Sequence, residues 1–208
     1  MKQTGKFADG TALLQDLCTI EATMKTTCII VDDFYQNPDA VRSYALSLPF
    51  EVQGNYPGLR TKPYLPDDLK DAIQSIILTA GGRVTDWMEH SGYTGAFQIC
   101  TAQDRTWIHA DSYNSWAAVC YLTPDAPLSA GTALYRYKET GEYLRADNSA
   151  PHLDGYDYTK WDMVDYVANK YNRIVLYRGN LYHASVDYFG NNRENGRLFQ
   201  TFFFNTEY

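Results

Sequence analysis

The pattern of hydrophobic and polar positions changes character midway along this 208-residue chain. In the first half, apolar side chains recur at helical spacing after Asn37-Pro38 and again after Pro66, which predicts two helices. The first helix is expected to stop before Pro49 and the second at Gly81-Gly82. Before both helices, residues 28–31 form a compact, β-branched run that predicts a strand.

From Gly95 onward the apolar residues form short runs separated by turn-forming residues, as in a β-sandwich or barrel. Six runs are predicted as strands, namely 97–101, 106–109, 116–122, 132–137, 174–177 and 198–204. The polar, tyrosine-rich segment 139–172 interrupts them and contains a candidate helix over 160–168. Because such a long connection in a compact domain is usually functional or mobile, we interpret 139–172 as a substrate lid.

A chain of this length, 45% hydrophobic and 21% charged, is expected to form one domain around one core. We divide it into an N-terminal extension (1–27), a helical buttress (28–94) and a β core (95–208). Two helices before a block of strands predict an α+β fold of the double-stranded β-helix type, a jelly-roll or cupin-like barrel. The helices would buttress one sheet and leave the barrel mouth open.

Composition narrows the class of protein. No apolar run is long enough for a membrane span and the first 30 residues lack a secretory pattern, so we predict a soluble cytoplasmic protein. A net charge of −7 argues against binding to nucleic acid through its phosphate backbone. The cysteines show no metal-binding spacing and are predicted to be buried free thiols, at positions Cys18, Cys28, Cys100 and Cys120.

The candidate chemistry lies at the end of the run 106–109. Side chains alternate between the two faces of a strand, so His109 and Asp111 project to the same side and could share one metal ion. His183 follows a second strand-like run and offers a third ligand, and Arg197 opens the last apolar run. Two histidines and one carboxylate, with other positions open, form the facial arrangement of non-haem Fe(II) oxygenases.

In this combination, His109-x-Asp111, His183 and Arg197 resemble the motif of the Fe(II)/2-oxoglutarate-dependent dioxygenase superfamily, in its prolyl-hydroxylase-like branch. The resemblance covers about residues 95–204, and the N-terminal stretches 31–38 and 56–60 resemble a subgroup whose members mostly lack an assigned substrate. It implies a hydroxylase that uses Fe(II), 2-oxoglutarate and O2, with ascorbate as a reductant, and releases succinate and CO2. Because halogenating relatives replace the carboxylate with a small residue, Asp111 favours hydroxylation.

The resemblance also implies roles for residues around the metal. Arg197 would hold the distal carboxylate of 2-oxoglutarate, which a planar guanidinium suits, although a salt bridge to an acidic residue is the alternative. Thr201 lies on the same strand face and could add a hydroxyl. Gln98 and Tyr121 stand where the superfamily places groups that bond 2-oxoglutarate or line the pocket, but both fit ordinary sheet positions equally well. Arg60 is an open candidate for contact with an anionic substrate.

Two other functions stay open at this point. One is a cupin-like metal-binding barrel without 2-oxoglutarate chemistry, and the other is a non-catalytic binding or structural module. Arg197 is the discriminating residue, since a barrel without 2-oxoglutarate has no evident use for a cation there. The substrate class extends from small molecules to peptide side chains, and the oligomeric state cannot be read from the chain.

Overall fold

A computed structural model of the chain describes residues 26–146 and 153–208, and consists mainly of antiparallel β-strands with two α-helices. Single-turn 3-10 helices lie at Glu89–Ser91 and Tyr158–Lys160. In chain order, the main elements are β1 (Cys28–Val31), α1 (Pro38–Ser47), β2 (Leu59–Arg60), α2 (Asp67–Thr79), β3 (Arg83–Asp86), β4 (Phe97–Cys100), β5 (Trp116–Tyr121), β6 (Thr132–Tyr137), β7 (Trp161–Val167), β8 (Ile174–Arg178), β9 (His183–Ser185) and β10 (Arg197–Glu207).

The strands form two sheets. The larger sheet has seven strands in the order β1-β8-β5-β10-β4-β2, with β3 paired to the far end of β10. The smaller sheet has three strands in the order β7-β6-β9. The chain crosses from one sheet to the other after β5, β7, β8 and β9, so consecutive parts of the β half contribute to both sheets.

The two helices pack on one face of the larger sheet. Asn37 caps α1, because its side chain accepts a hydrogen bond from the Ala40 amide, and Pro38 occupies the first helical position. One hydrophobic cluster joins Ile73 and Ile77 of α2 to Phe202 and the other inward residues of β10. Alternate residues of the same strands form a second cluster on the opposite face of the sheet. The candidate site lies on this second face, which the helices do not cover.

The strand predicted over 106–109 is reduced to one β-bridge. His109 and His183 exchange backbone hydrogen bonds of 3.0 and 2.8 Å. The neighbouring Ile108 amide donates instead to the Gly155 carbonyl, in a loop, so no ladder continues. The prediction of a regular strand is therefore wrong, but the extended segment still places His109 beside β9.

The helix predicted over 160–168 is also wrong, because this stretch contains strand β7. Its apolar positions at Trp161, Val164 and Val167 fit a helical period, but pairing with β6 decides the conformation. β7 therefore belongs to the smaller sheet and divides the segment interpreted as a lid. The lid role stays a prediction for the remainder, of which 147–152 lie outside the described residues.

The prediction of buried free thiols is confirmed for Cys100 and Cys120 but is wrong on burial for Cys28, which is only partly buried. Cys28, Cys100 and Cys120 are free thiols, the last two buried, while Cys18 and most of the N-terminal extension lie outside the described residues. Burial raises the pKa of the Cys100 thiol to about 11, so this thiol is inert at neutral pH. Among the described helices, none is long and apolar enough to cross a membrane.

Candidate metal centre

The backbone brings three potential metal ligands to one point between the sheets. The bridge from His109 to His183 sets the two imidazoles side by side, with ring centroids 4.4 Å apart. The Asp111 amide donates to the Gly179 carbonyl at 2.8 Å, which holds the carboxylate next to them. One ligand atom from each of the three residues lies within 4.8 Å of the other two. The structure thus brings together the three residues singled out from the sequence.

Backbone carbonyls fix the orientation of both imidazoles. His183 Nδ1 lies 2.8 Å from the Leu181 oxygen, and His109 Nδ1 lies 3.0 Å from the Trp107 oxygen. Because a carbonyl only accepts hydrogen bonds, each Nδ1 carries a proton, so in the neutral imidazole the lone pair is on Nε2. Such bonds from the second ring nitrogen are typical of histidines that bind metals.

An asparagine holds the carboxylate. Asn114 Nδ2 donates to Asp111 Oδ2 at 2.8 Å and also lies 3.1 Å from the Trp116 oxygen, which anchors the amide. The other carboxylate oxygen, Oδ1, lies 3.9 Å from His109 Nε2 and therefore faces the histidines. Sequence reasoning missed Asn114, and its position three residues after Asp111 was the available indication.

The protonation state of His183 suits metal binding. Burial lowers the pKa of His183 to about 4, the nearby His109 contributes in the same direction, and Asp111 opposes the shift. His183 is therefore neutral at physiological pH, with the lone pair that a metal ion requires.

A cavity of about 850 Å³ opens over these residues. Aromatic side chains line much of it, including Tyr93, Trp107 and Tyr177. Its charged lining residues, within the described part of the chain, are Arg60, Asp111 and Arg145, so arginines outnumber carboxylates there. The segment interpreted as a lid contributes to this wall through Arg145, Leu153, Gly155 and Tyr156.

Arg197 lies at the start of β10 and is only 1% exposed. Its Nε donates to the Ala130 oxygen at 3.1 Å, while Nη1 has no hydrogen-bond partner among the described residues. The guanidinium carbon lies 4.4 Å from the Phe199 ring centroid and 5.7 Å from that of Tyr188, and these two rings line the cavity, whereas Arg197 itself does not. No acidic residue in the described ranges forms the salt bridge that was the alternative for Arg197.

The other predicted 2-oxoglutarate contacts all have partners within the protein. Thr201 lines the cavity and donates to the Tyr93 or Ala96 oxygen at 3.3 and 3.4 Å. Gln98 also lines it, but its Nε2 donates to a backbone oxygen at 2.6 Å and its Oε1 accepts from Arg60. Tyr121 stands away from the cavity, with its hydroxyl 2.8 Å from Thr132 Oγ1. Their roles toward 2-oxoglutarate therefore stay predictions.

The sequence of most of the chain matches the model of a protein family. Residues 17–155 match the model of a family described as being of unknown function, DUF6445. The chain belongs to the DUF6445 family. A search of curated proteins gave no match for this DUF6445 member.

Solved structures show which fold this DUF6445 chain has. HygX from Streptomyces hygroscopicus, with nickel, 2-oxoglutarate and hygromycin B bound, is similar at 13% identity and a TM-score of 0.51, over 90% of this chain and 85% of HygX. A prolyl hydroxylase from Trichoplax adhaerens, in complex with a hypoxia-inducible factor peptide, is similar at 12% identity and a TM-score of 0.50, over 94% of each chain. At such identities the likeness shows a shared fold only.

Proposed function

We propose that this protein is a non-haem Fe(II)- and 2-oxoglutarate-dependent oxygenase that hydroxylates a small molecule or a side chain. One observation carries the proposal. His109, Asp111 and His183 present ligand atoms within 4.8 Å of one another at the wall of a large cavity. In both histidines Nδ1 donates to a backbone carbonyl, which leaves Nε2 as the nitrogen available to a metal ion.

The strand order supports a double-stranded β-helix. Four strands of the larger sheet, β8-β5-β10-β4, face the smaller sheet β7-β6-β9, and the His109 bridge extends that smaller sheet by one position. The bridge lies at the edge where β9 begins, so the potential ligands stand at the open end of the space between the sheets. Ligand sites at the mouths of β-barrels are common.

The residues present suit Fe(II). Two imidazole nitrogens and one carboxylate oxygen form a mixed ligand set that leaves coordination positions open, as this reaction class requires. We assign the metal to Nε2 of His109, Nε2 of His183 and Oδ1 of Asp111. When bound, iron and 2-oxoglutarate supply the activation of O2, with succinate and CO2 as products.

Arg197 fits the role of 2-oxoglutarate anchor. A buried hydrogen-bond donor without an acceptor costs free energy, so a ligand that offers an acceptor to Nη1 would be stabilised there. A carboxylate offers such an acceptor and carries the opposite charge. The aromatic rings of Phe199 and Tyr188 lie against the buried guanidinium, and such apolar surroundings would strengthen the bond. The protein also restrains the metal ligands, since Tyr177 packs on His183 at 4.6 Å between ring centroids.

The test is the release of succinate from 2-oxoglutarate in air, with Fe(II) and ascorbate and without any added substrate. We expect the wild-type protein to release succinate and Asp111→Ala to lose at least about 99% of that activity, since removal of a metal ligand removes the reaction. Asp162→Ala, which removes a partly exposed carboxylate of β7, is the matched control. Equal succinate release by Asp111→Ala and the wild type would refute the proposal.

A second measurement separates the enzyme from a metal-binding barrel without 2-oxoglutarate chemistry. Arg197→Ala should weaken 2-oxoglutarate binding at least about tenfold while the metal stays bound, because only the carboxylate anchor is removed. Isothermal titration of the Ni(II)-loaded protein measures both quantities. Arg83→Ala, at an exposed ion pair with Glu207, is the control. Loss of metal and 2-oxoglutarate together would contradict this division of roles.

A further inference from the structure

Arg60 reaches the cavity from β2, which is an edge strand of the larger sheet. Arg60 ends β2, is 6% exposed and lines the cavity. Its Nε donates to Gln98 Oε1 at 2.7 Å across the β2–β4 pairing. Within the described part of the chain, no hydrogen bond engages its Nη1 or Nη2. The outer edge of the guanidinium is thus available to a ligand.

Aromatic rings hold this guanidinium in place. Its central carbon lies 3.8 Å from the ring centroid of Tyr56, 5.3 Å from that of Tyr93 and 5.7 Å from that of Phe203. Rings against the guanidinium favour its charge and fix its plane, so hydrogen bonds can form only around its edge. Because Nε is already bonded to Gln98, the edge formed by Nη1 and Nη2 remains.

The charge of Arg60 has no counterion in the described structure. Asp111 is the one carboxylate among the described cavity residues, and it is assigned to the metal. No ion pair joins Arg60 to any described acidic residue. A desolvated cation without a partner is unfavourable, so an anionic ligand would gain from occupying this position.

Arg60 and Arg197 have different surroundings. The guanidinium of Arg197 packs on Phe199, whereas that of Arg60 packs on Tyr56 and lies near Phe203. Arg60 lines the cavity and Arg197 does not. We therefore treat Arg60 as an anion site separate from that of Arg197.

We propose that Arg60 binds a carboxylate of the organic substrate, so that the substrate is a carboxylic acid held between Tyr56, Tyr93 and the metal centre. A planar carboxylate matches the free Nη1–Nη2 edge in bidentate fashion. The cavity wall near the histidines, formed by Trp107 and Tyr156 with ring centroids 5.6 Å apart, suits an aromatic or apolar remainder. That the bound acid is a substrate rests on the proposed function, whereas the anion site itself requires only Arg60.

The experiment measures binding to the protein loaded with Ni(II) and saturated with 2-oxoglutarate, which keeps the Arg197 site filled. The probes are phenylacetate, indole-3-acetate and N-acetylphenylalanine, each with its matched primary amide, and phenyl phosphate. We expect at least one carboxylate to bind tenfold or more tightly than its amide. Arg60→Gln should abolish that preference, whereas the exposed control Arg83→Gln should keep it.

Four outcomes would overturn the inference. They are equal binding of carboxylates and amides, an unchanged preference in Arg60→Gln, tighter binding of phenyl phosphate than of every carboxylate, and loss of 2-oxoglutarate binding in Arg60→Gln. If Arg60→Gln does not fold, Tyr56→Leu removes the nearest ring instead and should reduce the preference at least threefold; an unchanged preference there overturns the inference as well. Binding that depends on Arg60 in a protein that releases no succinate would refute the proposed function and leave the anion site standing.

Discussion

At the scale of single residues, the candidate centre depends on side chains that orient the ligands. In both histidines Nδ1–H donates a hydrogen bond to the backbone carbonyl two residues earlier in the chain, that of Trp107 for His109 and that of Leu181 for His183. Asn114 holds one oxygen of Asp111, and Gly179 accepts from the Asp111 amide. A Cβ on Gly179 would lie 2.3 Å from the backbone oxygen of Asn114, so only glycine permits this close approach.

The orienting role of Asn114 gives a direct prediction. Asn114→Ala should weaken Ni(II) binding at least about tenfold, because Asp111 loses the donor that fixes its carboxylate. Isothermal titration measures the change. Asn180→Ala is the control, since the Asn180 side chain bonds the Arg145 oxygen and not a potential ligand. Equal affinities for the two variants would mean that Asn114 does not position Asp111.

The sequence predicted the three potential metal ligands, but not the residues that hold those ligands in place. Alternation along an extended segment places His109 and Asp111 on one side, and this local rule holds even though the segment forms only one bridge. The bond from Asn114 to Asp111 spans three residues and the contact of Arg60 with Tyr56 spans four, but neither follows from the apolar pattern. The burial of Arg60 also depends on Gln98, 38 residues away in the chain. Such contacts leave no periodic trace in a single sequence.

At the scale of elements, α2 covers the larger sheet with a fully buried apolar stripe. Ile73 is 0% exposed in the cluster that joins the helix to β10, whereas Leu78 of the same helix is 59% exposed. Ile73→Ala should lower the free energy of unfolding by about 3 kcal/mol, through lost burial and the cavity left behind. Leu78→Ala should change it by less than about 0.5 kcal/mol. Urea unfolding of both variants measures the difference, and similar losses would contradict this packing.

An ion-pair cluster connects the end of β1 to the start of β8. Asp32 accepts from Arg173 Nε at 2.6 Å and from Lys170 Nζ at 2.8 Å, and Arg173 contributes most to holding the pKa of Asp32 well below its usual value. A depressed carboxyl pKa contributes stability that is present above the unfolded pKa, near about 4, and is lost as the pH falls below it.

Asp32→Asn should therefore destabilise the protein at neutral pH and lose its effect in acid. Because the Asp32 side chain is about one third exposed, at 36%, solvent screens the pair. We therefore expect at most about 1 kcal/mol at pH 7, and a shrinking difference from the wild type below about pH 4. Urea unfolding across this range measures it. Asp33→Asn is the matched control, since Asp33 is exposed and asparagine tolerates its left-handed backbone, with φ of 55°. A loss that is independent of pH would contradict the assignment.

Strands and helices were predictable where local pattern and tertiary pairing agree. The first helix follows its Asn-Pro start and ends one residue earlier than the proline boundary allows, at Ser47. The apolar spacing of three residues in 160–168 predicts a helix, and pairing with β6 overrides this local pattern and selects the strand. Pairing partners far away in sequence are the information that a single-segment pattern lacks.

At the scale of the whole molecule, the two sheets enclose a cavity whose charge differs from that of the chain. The chain carries a net charge of −7, whereas arginines outnumber carboxylates among the described cavity residues. This contrast favours small anions over polyanions such as nucleic acid, because the local field attracts an anion that the outer surface repels. The fold shared with HygX permits many functions, so the reaction has to be argued from the site.

The most direct test of the central claim is an anaerobic titration of the metal-free protein with Fe(II). We predict one equivalent bound by the wild type and none by Asp111→Ala, because the three assigned ligands form a single centre. Asp162→Ala, which removes a partly exposed carboxylate on β7, should bind as the wild type does. Undiminished Fe(II) binding by Asp111→Ala would contradict the account.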